Sequence, residues 1–298
     1  HQQPAHRALV QRRSHQLRRV APFVLWGVSG SDLKEYTGYL DFWFTDRPIV
    51  ERVEPMVKLG LRRLDVWYWR QQPMAELAAE CRRLGAVLNS AFDDEMGNLV
   101  DPGDNELTLR AWAESLEMAT RHGVEHLFIF SNQVDLVNGQ PWTRRLSSNY
   151  TPAQQYANAL RQTERILKLV EQTPVKVWVE ALNEFHIKGG ILVHNHELAA
   201  DWVRRFNHPQ LRLVFDCYHQ QRDSGNLIWG LEQYAGLYDA FHMADVPTRQ
   251  EPGTGEINYA NLRRKLGQLG YNGFVGLEFY PSTTEAEALE RVKEIFPV

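Results

Sequence analysis

Short apolar runs alternate with longer amphipathic segments from Pro22 onward, and this alternation limits the possible folds more than any other feature of the chain. The runs are rich in valine, leucine, phenylalanine and tryptophan, which is typical of strands that are buried on both faces. The segments between them have helical signals, such as the threonine and proline that open residues 151–172. The eight runs lie at residues 23–28, 62–67, 86–92, 125–130, 175–181, 211–216, 240–244 and 273–279.

Eight strand–helix units in one chain predict a single (β/α)8 TIM barrel, an α/β fold. A doubly wound sheet usually has fewer strands, and no G-x-G-x-x-G turn follows the first run. We therefore expect residues 23–298 to form one catalytic barrel domain. Residues 1–22, which contain five arginines, are expected to form a basic N-terminal extension, and residues 29–46 an insert over the barrel mouth.

The composition restricts the partners of the chain. Its 298 residues are 43% hydrophobic and 23% charged, as in soluble globular proteins, and the net charge of −4 argues against nucleic acid as a partner. No apolar run reaches the ~18 residues of a membrane span, and two cysteines do not make a disulfide framework. We expect a small-molecule substrate, a cytoplasmic location unless the N-terminus is processed, and an enzyme that could form a homo-oligomer.

Four side chains with metal-ligand character lie at or near the ends of the fifth to eighth runs. They are Glu180, Asp216, His242 and Glu278. The C-terminal ends of barrel strands meet at the face that carries TIM-barrel active sites, so these side chains should converge. Three buried carboxylates would repel one another without a cation, and three carboxylates with one imidazole suit Mn²⁺, Mg²⁺ or Co²⁺. Taken singly, each carboxylate could instead cap a helix or pair with an arginine, and the histidine could belong to the core.

Other residues that follow the strands are candidates for substrate binding. His219 lies three residues after a predicted ligand, and Arg249, a fixed planar cation, lies seven residues after the predicted histidine ligand. His186 follows the fifth run and Trp67 ends the second, so both could line the pocket. The alternative for Arg249 is a salt bridge with a glutamate of its own loop, and the alternative for Trp67 is packing between barrel and helices.

Four stretches of the C-terminal half resemble a known family. These stretches are VEALN (179–183), FDCYHQQRDSGNL (215–227), ADVPTRQEPGTGEINY (244–259) and GYNGFVGLEFYPS (270–282). They resemble the hydroxypyruvate isomerase family, which belongs to the xylose-isomerase-like TIM barrels together with the ketose 3-epimerases. The resemblance is strong and colinear over about residues 175–285 and weaker over about residues 45–174.

The resemblance implies roles for individual residues. The metal-binding carboxylates of the group fall at Glu180, Asp216 and Glu278. The two glutamates double as its acid/base pair. Substrate-contacting positions fall at His219 and Arg249, and we group Glu256 of the GEINY motif with them. His242 departs from the isomerase pattern, which has glutamine there, and is similar to the ketose 3-epimerases, so the substrate is less well defined than the chemistry.

The predicted function is that of a divalent-metal-dependent isomerase or epimerase. A proton next to a carbonyl would leave to one glutamate and return from the other, through an enediolate of a small hydroxy-ketone or sugar. Glu285 and Glu287 follow the eighth run and would oppose a phosphate, so the substrate is expected to be unphosphorylated.

Three other classes of protein remain as alternatives. One is a metal-dependent lyase or dehydratase, including a C-glycoside-cleaving enzyme, and another is a sugar-binding barrel without turnover. The third is an endonuclease acting at abasic DNA, which would need further histidine ligands. The earlier strand ends instead offer Asp65, Asn89 and Ser131.

Overall fold

The computed structural model describes residues 35–138 and 140–298. The strands in this part of the chain are β1 (Tyr36–Tyr39), β2 (Arg63–Val66), β3 (Val87–Ala91), β4 (His126–Ile129), β5 (Val134–Val137), β6 (Gln140–Thr143), β7 (Lys176–Val179), β8 (Leu211–Asp216), β9 (Tyr238–Met243) and β10 (Phe274–Leu277). Eight of them close into a parallel barrel in the order β1-β10-β9-β8-β7-β4-β3-β2. The predicted TIM barrel is confirmed.

Helices follow the barrel strands on the outside. They are α1 (Val53–Lys58), α2 (Met74–Leu84), α3 (Asn105–His122), α4 (Pro152–Val170), α5 (His196–Phe206), α6 (Cys217–Asp223), α7 (Leu227–Gln233), α8 (Tyr259–Gln268) and α9 (Glu285–Ile295). Two of them begin with a capping box. In this motif the threonine side chain accepts a hydrogen bond from the backbone amide three residues later, and the side chain of that later residue accepts one from the backbone amide of the threonine. Thr151 and Gln154 form the box of α4, and Thr284 and Glu287 form that of α9. The side chain of Glu287 is therefore occupied in capping α9.

The first strand of the barrel lies at a different position from the one predicted. The run at residues 23–28 lies outside the described residues, as does the predicted extension at residues 1–22. The barrel instead closes through β1, within the segment predicted as an insert, because β1 pairs with both β2 and β10. Its sequence YTGY lacks aliphatic residues, so it gave no signal of a buried strand. Gly38 is needed there, since a β-carbon would lie 2.4 Å from Cε of Met56.

A hairpin interrupts the regular alternation between β4 and α4. Strands β5 and β6 pair antiparallel, with Leu136 opposite Pro141. This hairpin stands beside the C-terminal ends of the barrel strands and adds apolar side chains to the barrel mouth. Within the described residues no helix combines the length and the hydropathy needed to cross a membrane.

Candidate metal centre

The alternation of side chains along each strand sets where the candidate ligands point. Successive residues of a strand face opposite sides, so residues two apart share a side. The interior of the barrel holds a small aromatic and aliphatic cluster of Phe128, Trp178, Val214, Ala240 and Phe274. Glu180, Asp216 and His242 each lie two residues after a member of this cluster, and Glu278 lies four residues after one. The candidate ligands therefore form the next layer of the interior, towards the C-terminal ends of the strands.

The four predicted metal ligands come together at this level. Glu180, Asp216, His242 and Glu278 each offer one ligand atom, and these atoms all lie within 4.8 Å of one another. None of the four residues is more than 4% exposed. Among the described residues this is the one group of its kind. Three carboxylates and an imidazole that converge in a buried site form a group that could hold a hard or borderline divalent cation.

Glu278 has partners for both of its carboxylate oxygens. His242 Nδ1 lies 3.0 Å from Oε2, and Arg249 Nη2 donates to Oε1 at 2.7 Å. The hydroxyl of Tyr39 lies 3.4 Å from the same His242 nitrogen. Burial raises the pKa of Glu278, but the charge of Arg249 and the bond from His242 outweigh it, so the pKa is lowered. Glu278 is therefore the carboxylate of the site that is held ionised.

Glu180 and Asp216 have less support for a negative charge. Burial, followed by the neighbouring carboxylates, raises the pKa of Glu180 well above its usual range. Burial and the charge of Glu278 raise the pKa of Asp216 to about 7, although Oδ1 accepts from the amide of His219 at 2.7 Å. Oε1 of Glu180 is buried and has no hydrogen-bond partner among the described residues. Such an oxygen is costly unless something binds it, so the donor set fits a cation.

A cavity of about 400 Å³ opens above these side chains. Four of the predicted substrate-binding residues line it: Trp67, His186, His219 and Arg249. Glu256, the fifth, does not, because it lies on the surface, where its Oε1 accepts from Gln221. The reason is local: Asp245 Oδ1 accepts from the amides of Val246 and Ile257, which folds the loop back and turns Glu256 outward.

Arg249 is held over the site by its own loop and by aromatic rings. Its guanidinium carbon lies 4.9 Å from the ring centre of Tyr218 and 5.6 Å from those of Phe42 and Trp67. These contacts with ring faces favour a cation. The alternative of a salt bridge within the loop is wrong, because Arg249 pairs with Glu278, whereas Glu251 accepts from Arg291 at 2.8 Å.

His219 presents a hydrogen-bond donor to the cavity. Its Nδ1 accepts from the backbone amide of Asn183 at 3.0 Å and from the Asn183 side-chain amide, whose nitrogen lies 2.8 Å away. Burial and the charge of Arg249 lower the pKa of His219 well below its ordinary value, so the ring is neutral. A neutral ring with an acceptor at Nδ1 carries its proton on Nε2. His186, whose amide donates to Asn183 Oδ1, packs at the edge of the same ring.

The sequence analysis missed several polar residues of the cavity, and two of them belong to the first strand and the loop after it. Tyr39 ends β1, and Asp41 follows it in the cavity wall, where Oδ2 accepts from the amide of Trp67 at 2.7 Å. Burial raises the pKa of Asp41 to about 7. Both were overlooked because the first strand was predicted too early in the chain. A search for a polar residue after the YTGY segment would have found Asp41.

Fold and site together define a class of protein, a TIM barrel with a buried group of acidic and histidine side chains at its C-terminal face. The family model described as "Xylose isomerase-like TIM barrel" matches residues 51–295, and the chain belongs to that family. The chain is similar to hydroxypyruvate isomerase of Escherichia coli K12, at 30% identity over 142 residues, or 48% of this chain and 55% of that one. It is also similar to 2-oxo-tetronate isomerase of Haemophilus influenzae, at 25% identity over 256 residues, or 84% and 94% of the two chains.

Among solved structures, one described as an AP endonuclease of family 2 from Brucella melitensis superimposes with a TM-score of 0.76. The two sequences are 21% identical, over 88% of this chain and 99% of that one. At this identity the likeness shows the shared fold alone.

Proposed function

We propose that the protein is a divalent-metal-dependent isomerase or epimerase that moves a proton next to a carbonyl group. The observation that carries the proposal is the unequal support of two buried glutamates beside one cavity. Both oxygens of Glu278 have partners, whereas Oε1 of Glu180 has none among the described residues. Two carboxylates whose environments differ in this way suit the two halves of a proton transfer.

The residues that would hold the metal are Glu180, Asp216, His242 and Glu278. Mn²⁺, Mg²⁺ and Co²⁺ suit this oxygen-rich set with a single imidazole. A divalent cation bound there would polarise a substrate carbonyl and stabilise negative charge on its oxygen.

The protein's own residues would supply the proton transfers. Glu278, which is held ionised, would remove the proton from the carbon beside the carbonyl, and Glu180, whose pKa is raised and whose Oε1 has no partner among the described residues, would supply the returning proton. His219 would donate from Nε2 to a substrate oxygen, and Arg249 would keep Glu278 ionised until it acts. Return of the proton to the neighbouring carbon gives an isomerase, and return to the same carbon from the opposite face gives an epimerase. General acid–base catalysis of this kind contributes roughly 10²–10⁴-fold to the rate.

The endonuclease alternative is not supported by the earlier strands. Asp65 Oδ1 accepts from Asn89 at 2.6 Å and from Ser90 at 2.5 Å, so its carboxylate belongs to an internal hydrogen-bond network. Ser131 accepts from the amide of Val193 at 3.0 Å. Residues 35–138 and 140–298 contain no second group of potential metal ligands beside the four already described.

Deuterium exchange tests the proposal. The Mg²⁺-loaded protein would be incubated in D₂O with hydroxypyruvate, fructose, tagatose, psicose and xylulose in turn, and the products examined by NMR. We expect deuterium at a carbon beside the carbonyl of at least one compound, and no exchange after treatment with a chelator.

Variants give this experiment its controls. Glu180→Gln and Glu278→Gln should each reduce exchange by about 10²-fold or more. Glu232→Gln, on the outer helix α7, should exchange like the unaltered protein. Exchange that survives the chelator, or near-normal exchange by Glu278→Gln, would contradict the proposal. Cleavage of a substrate without exchange would favour the lyase.

A further inference from the structure

Two adjacent amide side chains, Asn132 and Gln133, lie in the loop between β4 and β5 and line the cavity. Each residue is 5% exposed, and neither belongs to the four candidate ligands or to the predicted substrate-binding residues. The loop is held from one side by the backbone amide of Gln133, which donates to Asn98 Oδ1 at 3.0 Å. From the other side, the backbone amide of Val193 donates to the hydroxyl of Ser131 at 3.0 Å. Both side chains of this amide pair therefore extend from a fixed backbone.

Hydrogen bonds determine the orientation of the Asn132 amide. Its Oδ1 accepts from the backbone amide of Leu192 at 2.9 Å and from the hydroxyl of Ser131 at 2.8 Å. A backbone amide can only donate, so the atom that faces it must be the oxygen, and the side-chain amide cannot be turned round. Its Nδ2 then has no acceptor among the described residues and is not sealed from solvent. Because Asn132 lines the cavity, this nitrogen offers the cavity a hydrogen-bond donor.

The amide of Gln133 is fixed in the opposite sense. Its Nε2 donates to the carbonyl of Asp94 at 2.7 Å and to that of Val134 at 3.2 Å. A carbonyl can only accept, so the nitrogen must lie on that side, and Oε1 is left as an acceptor without a donor among the described residues. The amide pair thus offers one donor and one acceptor. A hydroxyl group satisfies both, because it can accept a hydrogen bond and donate one.

The amide pair lies beyond the level of the candidate ligands. Ile129 of β4 is the register partner of Val179 of β7, so the residues that follow them, Phe130 and Glu180, lie at one level. Asn132 follows two residues later, a step of roughly 6 Å along a strand direction.

The segment that holds Asn132 gives the same level. The backbone amide of Leu182, two residues after Glu180, donates to the carbonyl of Val193, next to Leu192. Two carbon–carbon bonds of about 1.5 Å each do not span a step of roughly 6 Å. A substrate whose carbonyl lies beside Glu180 therefore needs further carbons to reach Asn132.

The wall between the two levels is apolar. Phe128 and Phe130 stack with their ring centres 5.9 Å apart, and the ring of Phe92 meets that of Phe130 edge-on at 5.5 Å. All three line the cavity, whose volume is about 400 Å³. In apolar pockets, a few well-placed polar groups set the orientation and the specificity of a ligand. The amide pair supplies such groups on this side of the cavity.

We infer that Asn132 and Gln133 bind a hydroxyl group at the end of the substrate that is remote from its carbonyl. The inference rests on the proposed function and names the class of substrate, a polyhydroxy carbonyl compound of more than three carbons. A three-carbon compound can react at the candidate ligands but gains nothing from the amide pair. The charge beside the reacting carbonyl is not restricted by this contact, because the amide pair meets the other end of the molecule.

Matched deoxy sugars test the inference in the exchange experiment. D-psicose and 6-deoxy-D-psicose differ only in the hydroxyl on the carbon farthest from the carbonyl, and so do D-fructose and 6-deoxy-D-fructose. We expect the Mg²⁺-loaded protein to favour the hydroxylated member of a pair by at least about tenfold in kcat/KM, because the deoxy sugar leaves both amides unpaired. A smaller preference in both pairs would overturn the inference.

Two variants locate this preference. In Asn132→Ala it should fall to within about threefold, mainly through a loss of kcat/KM for the hydroxylated sugar. The ring–chain equilibrium of each free sugar is the same for both proteins, so it does not affect this comparison. Asn158→Ala is the control, since it removes a buried amide that donates to the carbonyl of Leu99 outside the cavity. A merely structural role of Asn132 would lower kcat/KM for both sugars equally and leave the preference unchanged, which would contradict the inference.

The inference and the proposed function can fail separately. If metal-dependent exchange occurs without the preference for the hydroxylated sugars, or with hydroxypyruvate alone, the proposed function stands and the inference is wrong. If no compound exchanges, calorimetric titration with D-psicose and 6-deoxy-D-psicose decides. Binding at least about tenfold tighter for D-psicose, lost in Asn132→Ala, would support the amide pair and exclude the proposed reaction. Equal or undetectable binding would overturn both.

Discussion

Arg249 and Glu278 form a buried ion pair across the mouth of the barrel, with Nη2 of the arginine 2.7 Å from Oε1 of the glutamate. The arginine is 7% exposed and the glutamate 4%. One residue comes from the loop after β9 and the other follows β10, so the pair ties the loop of Arg249 to one of the four candidate ligands.

Replacing Arg249 should affect turnover and metal binding in opposite directions. In Arg249→Gln the carboxylate of Glu278 loses the charge that keeps it ionised, so kcat/KM should fall by about 10²-fold or more. The site also loses a positive charge, so Mn²⁺ should bind more tightly in a calorimetric titration. Arg205→Gln, in an exposed pair on α5, is the control. A parallel loss of metal affinity and activity would instead indicate a damaged fold.

The metal-free protein should become less stable as the pH rises. The pKa of Asp216 is about 7 in the folded protein against 3.8 as its ordinary value, so the folded state binds more protons than the unfolded state between these two pH values. The contribution of Asp216 to the free energy of unfolding is therefore complete below about pH 4 and is lost as the pH rises towards 7. Melting temperatures measured with a chelator from pH 5 to 8 should therefore decrease.

Metal should reverse this trend, because bound ligands are deprotonated and metal binding releases protons. With saturating Mn²⁺ the melting temperature should rise with pH over the same range. Asp216→Asn, which cannot lose a proton, should show a smaller slope without metal. If the stability of the metal-free protein increased from pH 5 to 8, the raised pKa of Asp216 in the folded state would be contradicted.

Asn183 should control the proton on His219. In Asn183→Asp the side chain presents an acceptor where the amide donated, and only the backbone amide of residue 183 still donates to Nδ1, so the support for a proton on Nε2 of His219 is weakened. Supporting contacts of this type are worth about 10–100-fold in activity. We expect kcat to fall in that range while Mn²⁺ affinity is unchanged, with the exposed Asn272→Asp as control. An unaltered kcat and pH profile would exclude the role of His219 as a donor.

Gly276 leaves room for the imidazole of His242. A β-carbon at this position would lie 2.4 Å from Cδ2 and 2.8 Å from Nε2 of the histidine. Gly276→Ala should displace the ring and weaken Mn²⁺ binding by about tenfold or more, because a metal ligand must stay close to its working geometry. Circular dichroism should show an intact barrel. Normal metal affinity in this variant would mean that His242 is not a ligand.

The last four barrel strands could be predicted in detail because each is a buried apolar run that ends near a charged or imidazole side chain. Glu180 and Asp216 at these strand ends predicted a shared site, although Asp216 also caps α6, where its Oδ1 accepts from the amide of His219. β1 could not be found this way, since its tyrosines and glycine pack well but lack an aliphatic pattern. The error hid Tyr39 and Asp41, which follow from the position of that strand.

The loop after β9 shows a second limit of sequence analysis. Arg249 and Glu256 lie in one motif, but only Arg249 reaches the cavity. The difference depends on hydrogen bonds from backbone amides to Asp245, including one of 2.9 Å from Gly253. Spacing along a chain does not reveal such contacts.

The same loop offers a site for a chemical probe. Thr248 is exposed although the next residue, Arg249, is buried, so a label at residue 248 would be adjacent to the ion pair without replacing any part of it. Cys81 and Cys217 are both buried, which leaves Thr248→Cys as the accessible thiol among the described residues. A fluorophore attached there would report ligand entry optically and would allow single molecules to be followed through their binding events.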